Sequence, residues 1–194
     1  MPRKHCPNCQ RPLNVCYCSA LVKATNKIKV TLILHPLEQK HPFNTGRMAH
    51  LCLSNSELII AESFSDKELE NLLSTTSALL YPSLDWLPET EQINNQSLDS
   101  ATNPKIEQLI VIDASWRKSK KILHLHPPLQ NLPRLSLSGG LISNYQIRKT
   151  SMENGLSTIE SIVEALQLLE PDGDFKSILK PFEKMVDLQQ LKYS

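Results

Sequence analysis

Short apolar segments alternate with amphipathic segments along most of the chain, from residue 27 onward. Aliphatic and β-branched runs that stop at Pro, Ser or Gly predict strands rather than helices. The strongest run is apolar from Leu109 to Ile112, which predicts a strand buried on both faces of a sheet. The predicted strands lie within residues 27–35, 57–63, 77–83, 107–115 and 132–140. Because predicted helices separate these strands, the pattern indicates an α/β fold with a mostly parallel sheet.

The predicted helices have sequence signals at their ends. Asn44 or Thr45 can cap the first helix, and Ser65 with Glu68 forms a capping box at the start of the second. Apolar residues at helical spacing predict a long amphipathic helix near the C-terminal end. The helices are predicted within residues 45–53, 65–73, 115–126, 153–170 and 175–188. Residues 88–104 are polar and have no period, so we expect a mobile loop there.

The distribution of charge along the chain bears on the kind of partner that the protein binds. The chain has 21 Lys and Arg residues against 20 Asp and Glu residues. Residues 1–50 contain eight basic residues and one acid, and residues 104–150 contain eight and two. Two basic blocks in a nearly neutral chain favour a cationic face for a polyanion, with an ordinary solvated surface as the alternative. No apolar run resembles a membrane span or a secretory signal, so we expect a cytoplasmic protein.

Four cysteines lie close together near the N-terminus, in the segment CPNCQRPLNVCYC. Their thiolates could surround one Zn²⁺ ion and fill its four tetrahedral positions, which makes a closed structural site. The predicted ligands are Cys6, Cys9, Cys16 and Cys18. Disulfide bonds are the alternative, and the expected cytoplasmic setting disfavours them. The pattern predicts a zinc knuckle over residues 1–25, followed by one larger domain over residues 26–194.

The segment VIDASWRKSKKIL combines an acid, an indole and four cations at the end of the most apolar predicted strand. Ligands of open α/β sheets bind at the carboxyl ends of strands. Asp113 could therefore accept a proton or a hydrogen bond there, and capping of the next helix is the alternative. Trp116 could stack on a base or line a pocket. The cations that follow suit phosphate neutralisation, and they are Arg117, Lys118, Lys120 and Lys121.

Two further segments carry candidate anion-binding groups. NTGR places Arg47 and backbone N–H groups at a predicted helix start, where either an anion site or an ordinary cap would form. SNYQIRKT places Arg148 before the long helix, where it could hold a carboxylate or form a surface ion pair. The chain lacks GxGxxG, GxxxxGK[ST], HExxH and GxSxG, so dinucleotide-binding, P-loop, zinc-hydrolase and serine-hydrolase functions lack their motifs.

Six segments in order resemble the DTW-domain family of tRNA-uridine aminocarboxypropyltransferases, and they cover almost the whole chain. They are CPNCQRPLNVCYC, LILHPLEQKHPFNTGRMAHLCL, LLYPS, VIDASWRKSKKI, LPRLSLSGGLISNYQIRK and ENGLSTIESIVEAL. The D-x-T-W signature of that family is present as Asp113-Ala114-Ser115-Trp116, with Ser at the Thr position. Serine keeps the hydroxyl group and loses only a methyl group, so the site implied by the resemblance should survive.

The resemblance implies a SPOUT-like fold, with a mostly parallel sheet, helices on both faces and a C-terminal trefoil knot. It also implies S-adenosylmethionine as the co-substrate, held by the loops of the knot. The residues implied to bind this donor are Leu80, Tyr81, Pro82, Ser115, Trp116, Leu135, Ser136, Leu137, Tyr145, Arg148 and Lys149. The implied reaction moves the 3-amino-3-carboxypropyl group to N3 of a tRNA uridine and leaves 5′-methylthioadenosine.

Within that implied reaction, Asp113 is the expected base for the weakly nucleophilic uridine N3. Arg148 or Lys149 would hold the carboxylate of the donor. The phosphates of the tRNA partner would contact Arg47, Arg117, Lys118, Lys120 and Lys121. Two alternatives remain, a SPOUT-type RNA methyltransferase and a non-catalytic RNA-binding module that contains zinc. The sequence leaves the oligomeric state open.

Overall fold

Six parallel strands form one sheet in the order β2-β1-β5-β3-β6-β4. The structure, a computed structural model, describes residues 4–39, 41, 43–93, 105–137 and 156–190. The strands are β1 (Lys29–Leu34), β2 (Ser56–Ile60), β3 (Ser77–Leu80), β4 (Gln92–Ile93), β5 (Gln108–Asp113) and β6 (Arg134–Leu135). The predicted α/β fold with a parallel sheet is therefore confirmed.

Helices cover both faces of this sheet. The α-helices are α1 (Thr45–Cys52), α2 (Asp66–Leu72), α3 (Trp116–Leu125), α4 (Pro127–Gln130), α5 (Thr158–Leu169) and α6 (Lys180–Gln190). Short 3₁₀ turns lie at Leu13–Val15, Cys18–Ala20, Pro36–Glu38 and Lys176–Leu179. None of the helices in the described ranges combines the length and the apolar character needed to cross a lipid bilayer.

The core consists of two apolar layers, one on each face of the sheet. Successive side chains of a strand point to opposite faces, so Leu32 of β1 packs in one layer and Ile33 packs in the other. The first layer contains residues of α1, α5 and α6, and the second contains residues of α2, α3 and α4. Leu109 and Ile110 of β5 are fully buried in opposite layers. The predicted burial of this strand on both faces is confirmed.

Local capping explains where several helices begin. The Asn44 side chain accepts a hydrogen bond from the backbone N–H of Arg47 at 2.8 Å, so Asn44 rather than Thr45 caps α1. Ser65 and Glu68 form the predicted capping box of α2. A second capping box, formed by Ser157 and Glu160, starts α5 at Thr158. This helix was predicted within residues 153–170, and in the described residues its first helical residue is Thr158.

The polar segment predicted as a mobile loop includes a short strand. Gln92–Ile93 pairs with Arg134–Leu135 of β6, and the Arg134 backbone N–H donates to the Glu91 carbonyl at 2.8 Å. The Arg134 guanidinium is buried and donates to the Pro88 carbonyl at 2.8 Å. The loop prediction is therefore wrong at β4, because pairing with a distant segment stabilises it. Residues 94–104 lie outside the described residues.

The N-terminal segment packs on the C-terminal end of the chain. Cys6, Cys9 and Tyr17 belong to the same apolar layer as Phe182 and Met185, which lie on α6. The Lys184 ammonium on that helix also donates a hydrogen bond to the Ser19 hydroxyl. The segment with the four cysteines thus contributes to the main core.

Candidate functional site

The carboxyl ends of four neighbouring strands meet at one edge of the sheet. Leu34 of β1 lies beside Asp113 of β5, and Leu80 of β3 lies beside both Val111 of β5 and Leu135 of β6. All strands are parallel, so the residues that follow them emerge at the same edge. The structure thus brings together four strand ends that are far apart in the sequence. This edge is the candidate functional site.

Asp113 lies at the centre of this edge, where two helices begin. The residue is 9 % exposed, and its Oδ1 atom accepts a hydrogen bond from the Thr158 hydroxyl at 2.7 Å. A Cβ atom added to Gly46, in the first turn of α1, would lie 2.2 Å from the Oδ2 atom of Asp113. The carboxylate is therefore in close contact with α1 and hydrogen-bonded to the first residue of α5. The positive ends of the two helix dipoles favour its negative charge.

The alternative role of Asp113 as a helix cap does not match the structure. The N-cap of α3 is Ser115, and its side chain makes no capping hydrogen bond. Asp113 instead contacts α1 and α5, which come from distant parts of the sequence. Its carboxylate connects the sheet to two helices across the site.

An aromatic pair lies at the same edge of the sheet, where β3 ends and α3 begins. The rings of Tyr81 and Trp116 meet edge to face with centroids 5.7 Å apart, and Trp116 is 45 % exposed. The Tyr81 hydroxyl shares a hydrogen bond of 2.9 Å with the Ser119 hydroxyl on α3. Burial raises the pKa of Tyr81. The contact between the two rings places the exposed indole at the edge of the site.

The other predicted donor-binding residues differ in how accessible they are. Leu135 is fully buried in the core and Leu80 is nearly so, so their side chains pack the sheet rather than line an open pocket. Pro82, Ser115 and Ser136 are half-buried at the carboxyl edge, and so is Leu137, which packs against the core. Tyr145, Arg148 and Lys149 lie outside the described residues.

Two of the four cations on α3 are held in ion pairs with acids from other segments. The Lys118 ammonium lies 2.7 Å from Glu38, and the Lys121 ammonium lies 2.9 Å from Glu62. Glu62 also lies 2.8 Å from Nε2 of His35, a buried residue directly after β1. These interactions tie α3 to the segments that follow β1 and β2.

The hydrogen bonds of His35 define its tautomer. Its Nδ1 atom accepts from the Leu37 backbone N–H at 3.1 Å, so Nε2 carries the proton and donates to Glu62. Hydrogen bonds from Lys121 and His35 hold the pKa of the Glu62 carboxyl below its ordinary value. This group of three side chains fixes the loop after β1, which lies next to Asp113.

The Arg47 guanidinium is only partly exposed to solvent. It is half-buried, and its Nη2 atom is enclosed with no hydrogen-bond partner among the residues that the structure describes. Its positive charge acts on the pKa values of Tyr17 and His50. Arg47 therefore lies near the N-terminal knuckle, whereas Arg117 and Lys120 are exposed on α3.

The four predicted zinc ligands form a compact cluster. Their sulfur atoms all lie within 4.8 Å of one another, and the members are Cys6, Cys9, Cys16 and Cys18. The Cys6–Cys18 and Cys9–Cys16 sulfur distances are both 3.7 Å. Tetrahedral zinc with bonds of about 2.3 Å needs sulfur atoms about 3.8 Å apart, whereas a disulfide needs about 2.05 Å. The arrangement fits a tetrahedral metal ion and contains no disulfide among these cysteines.

The backbone around the cluster favours thiolates. The pKa of the Cys6 thiol is lowered to about 6, mainly by hydrogen bonds from the backbone N–H groups of Cys9 and Asn8. Burial raises the pKa of Cys9 and of Cys18, which a bound cation would counteract. Gln10 has a φ of 61° and lets the chain reverse between the first two ligands and the rest. These features suit a metal knuckle.

Sequence reasoning missed several residues that contact the site. Gly46 and Thr158 hold Asp113, and Glu38 and Glu62 pair with the lysines of α3. The sequence signal for Thr158 was its place beside Ser157 at a helix start. For the two acids the sequence offered no signal, because their partners are more than 50 residues away.

Comparisons with known proteins identify the family of the chain. The model of a family described as "DTW domain" matches residues 3–190. The chain is 28 % identical over 197 residues to "tRNA-uridine aminocarboxypropyltransferase 2" of Drosophila melanogaster, covering 96 % of this chain and 75 % of that protein. The protein with the same name from Macaca fascicularis is 28 % identical over 196 residues, covering 96 % of this chain and 64 % of the relative.

A plant relative extends the similarity. The chain is 26 % identical over 215 residues to "tRNA-uridine aminocarboxypropyltransferase A" of Arabidopsis thaliana, covering 96 % of this chain and 81 % of that protein. No solved structure matches the chain at comparable significance. Because the family model spans nearly every residue, the chain belongs to the DTW domain family.

Proposed function

We propose that the protein transfers the 3-amino-3-carboxypropyl group of S-adenosylmethionine to N3 of a tRNA uridine and releases 5′-methylthioadenosine. The family match over residues 3–190 carries this proposal, together with the names of relatives that align with 96 % of the chain. The carboxyl edge of the sheet supports it, because ligands of parallel α/β sheets bind there. A tRNA substrate also suits the expected cytoplasmic location.

The donor would bind beside Asp113, between the ends of β3, β5 and β6. Trp116 offers an exposed indole that could cover an adenine ring, and Tyr81 fixes the orientation of that indole. Arg148 or Lys149 would hold the donor carboxylate. The trefoil knot of a SPOUT-like fold also belongs to this proposal. Its loops would be residues 79–83, 132–140 and 143–149, of which residues 138–140 and 143–149 lie outside the described residues.

The chemistry requires one proton transfer and one alkyl transfer. Uridine N3 loses its proton to the Asp113 carboxylate and then attacks the γ-carbon of the donor. The new N–C bond forms as the C–S bond breaks. The electron pair of the C–S bond stays on sulfur, which changes from a sulfonium to a neutral thioether. The same donor could release a methyl group, so the orientation of the γ-carbon toward N3 determines the product.

The knuckle over residues 1–25 would hold a structural Zn²⁺ ion, and residues 26–194 would form the catalytic domain. Cys6, Cys9, Cys16 and Cys18 supply four sulfur ligands, so no position remains open for a substrate. The packing of this segment against α6 supports a role in stability. The ion would take no part in the transfer.

Mass spectrometry of nucleosides from tRNA incubated with the protein and labelled donor tests the activity. Label from the donor carboxyl carbon should appear in a uridine derivative. Label from the methyl carbon would instead identify an RNA methyltransferase, and binding of tRNA without any label would identify a non-catalytic RNA-binding protein. If no label from the carboxyl carbon appears in the tRNA, the proposed transfer is refuted in either case.

The role of Asp113 needs a separate experiment. Asp113→Asn keeps the size of the side chain and can still accept from the Thr158 hydroxyl, but it cannot take a proton at neutral pH. If Asp113 is the base, this variant should retain its thermal midpoint within a few degrees and lose transfer by at least ~100-fold. Full transfer by Asp113→Asn would show that the carboxylate only positions the site.

A further inference from the structure

Helix α3 separates its basic residues into two sets. Lys118 and Lys121 are paired with Glu38 and Glu62. Arg117 and Lys120 are exposed and make no ion pair with any carboxylate of the described residues. These two cations and the exposed His124 lie three and four residues apart, so they form one stripe along the helix.

Trp86 holds part of this stripe in place. The indole comes from the segment after β3 and stacks on the His124 ring, with centroids 4.9 Å apart and an interplanar angle of 27°. The Lys120 ammonium lies 4.8 Å from the centroid of the same indole. His124 is fixed further, because its Nδ1 atom donates to the Lys120 carbonyl at 2.8 Å. A flexible lysine and an exposed imidazole are thus ordered before any partner binds.

We propose that Arg117, Lys120 and His124, ordered by Trp86, form a docking surface for tRNA nucleotides outside the reactive uridine. This inference rests on the proposed function, since it takes the substrate tRNA as the polyanion. The two cations can neutralise backbone phosphates, and the exposed imidazole offers a ring face for a base. Its Nε2 atom can accept a hydrogen bond from a ribose 2′-hydroxyl, a group that RNA has and DNA lacks.

The location of this surface suits a substrate that reaches past the active site. The segment that carries Trp86 begins at Tyr81, which contacts Trp116 at the carboxyl edge. Trp116 is also the first residue of α3, so the stripe runs away from the edge along the same helix. A strand of RNA with its uridine near Asp113 could therefore continue along Arg117, Lys120 and His124.

Equilibrium binding of unmodified tRNA, measured by fluorescence anisotropy over a range of salt concentrations, tests the surface. Each lost phosphate contact should reduce the slope of log K against log salt by about 0.7 for a single-stranded site and about 0.9 for a duplex site. Arg117→Ala with Lys120→Ala should therefore reduce the slope by about 1.4–1.8 and weaken binding about 25- to 60-fold at 0.1 M salt. Lys67→Ala, which removes an exposed cation from the acidic helix α2, is the matched control and should bind as the wild type does.

Trp86→Leu separates preordering from charge. It keeps every cation, so it should weaken tRNA binding several-fold while the salt slope stays at the wild-type value. If the Trp86 variant unfolds, His124→Ala is the second variant: it keeps both cations and removes the imidazole contact, so it should weaken binding several-fold at an unchanged salt slope. Wild-type affinity and slope in the Arg117/Lys120 double variant would overturn the docking surface, whatever the outcome of the transfer assay. Weakened binding together with absent transfer in the wild type would refute the proposed activity and leave the surface intact.

Discussion

The close approach of Gly46 to Asp113 allows a quantitative test of how the carboxylate is held. In Gly46→Ala, the new Cβ would lie 2.2 Å from Oδ2 and 2.7 Å from Cγ of Asp113, whereas real Cβ contacts essentially never fall below 3.0 Å. The carboxylate cannot move away freely, because Oδ1 accepts from the Thr158 hydroxyl at 2.7 Å. The substitution must therefore shift either α1 or the acid.

Three contributions determine the size of the effect. Overpacking of a well-packed site costs about 1–3 kcal/mol. Loss of the hydrogen bond to a charged acceptor costs about 1.5–3 kcal/mol. Alanine returns about 1 kcal/mol, because glycine is the poorer helix former. The net loss should be about 3 kcal/mol, which corresponds to a decrease of roughly 6–12 °C in Tm for a domain of this size.

A double-mutant cycle with Asp113→Ala identifies the cause. The second substitution removes Oδ2 and Cγ, so the nearest remaining contact of the new Cβ is the Cβ of residue 113 at 3.1 Å. In that background Gly46→Ala should be neutral or should stabilise by up to about 1 kcal/mol. Urea unfolding followed by circular dichroism, with Zn²⁺ in constant excess, measures all four proteins. Equal destabilisation in both backgrounds would show that the carboxylate contact is not the cause.

Three further predictions concern Thr158, Glu62 and the cysteine cluster. Thr158→Val should lose about 1.5–3 kcal/mol of stability because Asp113 loses a donor, whereas Thr158→Ser should keep the wild-type urea midpoint. In the folded protein, hydrogen bonds from Lys121 and His35 lower the pKa of the Glu62 carboxyl below its ordinary value of 4.5. These hydrogen bonds therefore stabilise the fold fully above pH 4.5, and the stabilisation is lost as the pH falls through the pKa that Glu62 has in the folded protein. Glu62→Gln should therefore flatten the decline of the urea midpoint below pH 4.5, and an unchanged decline would contradict the assigned interactions. Removal of metal by a chelator should lower Tm, because the thiol cluster is part of the core, and one equivalent of Zn²⁺ should restore it; an unchanged Tm would exclude a structural ion.

Sequence patterns predicted the elements whose stability depends on nearby residues or on complete burial. β5 was evident because an apolar run such as Leu109–Ile112 is stable only inside a sheet. The start of α2 was evident because both groups of its capping box lie within four residues. The strand Gln92–Ile93 was missed, because two residues become a strand only when a partner from elsewhere in the chain lies beside them.

The candidate site was predictable to a similar extent. The cysteine cluster needs only short spacing within one segment, so the sequence alone identified all four members. The position of Asp113 at a strand end was also local. Its contacts with Gly46 and Thr158 were not, since they join residues 67 and 45 positions away. The role of Trp86 beside α3 was hidden for the same reason.

The amino-acid sequence by itself determined the alternation of strands and helices, the four cysteines that form the thiol cluster and the acid at the end of β5. These features depend on residue type and on spacing over a few positions. Tertiary structure alone decided which cations of α3 remain available, because Glu38 and Glu62 reach Lys118 and Lys121 from loops that follow other strands. It also decided how Asp113 is held. Parallel strands collect distant segments at one edge, and no local pattern encodes which side chains meet there.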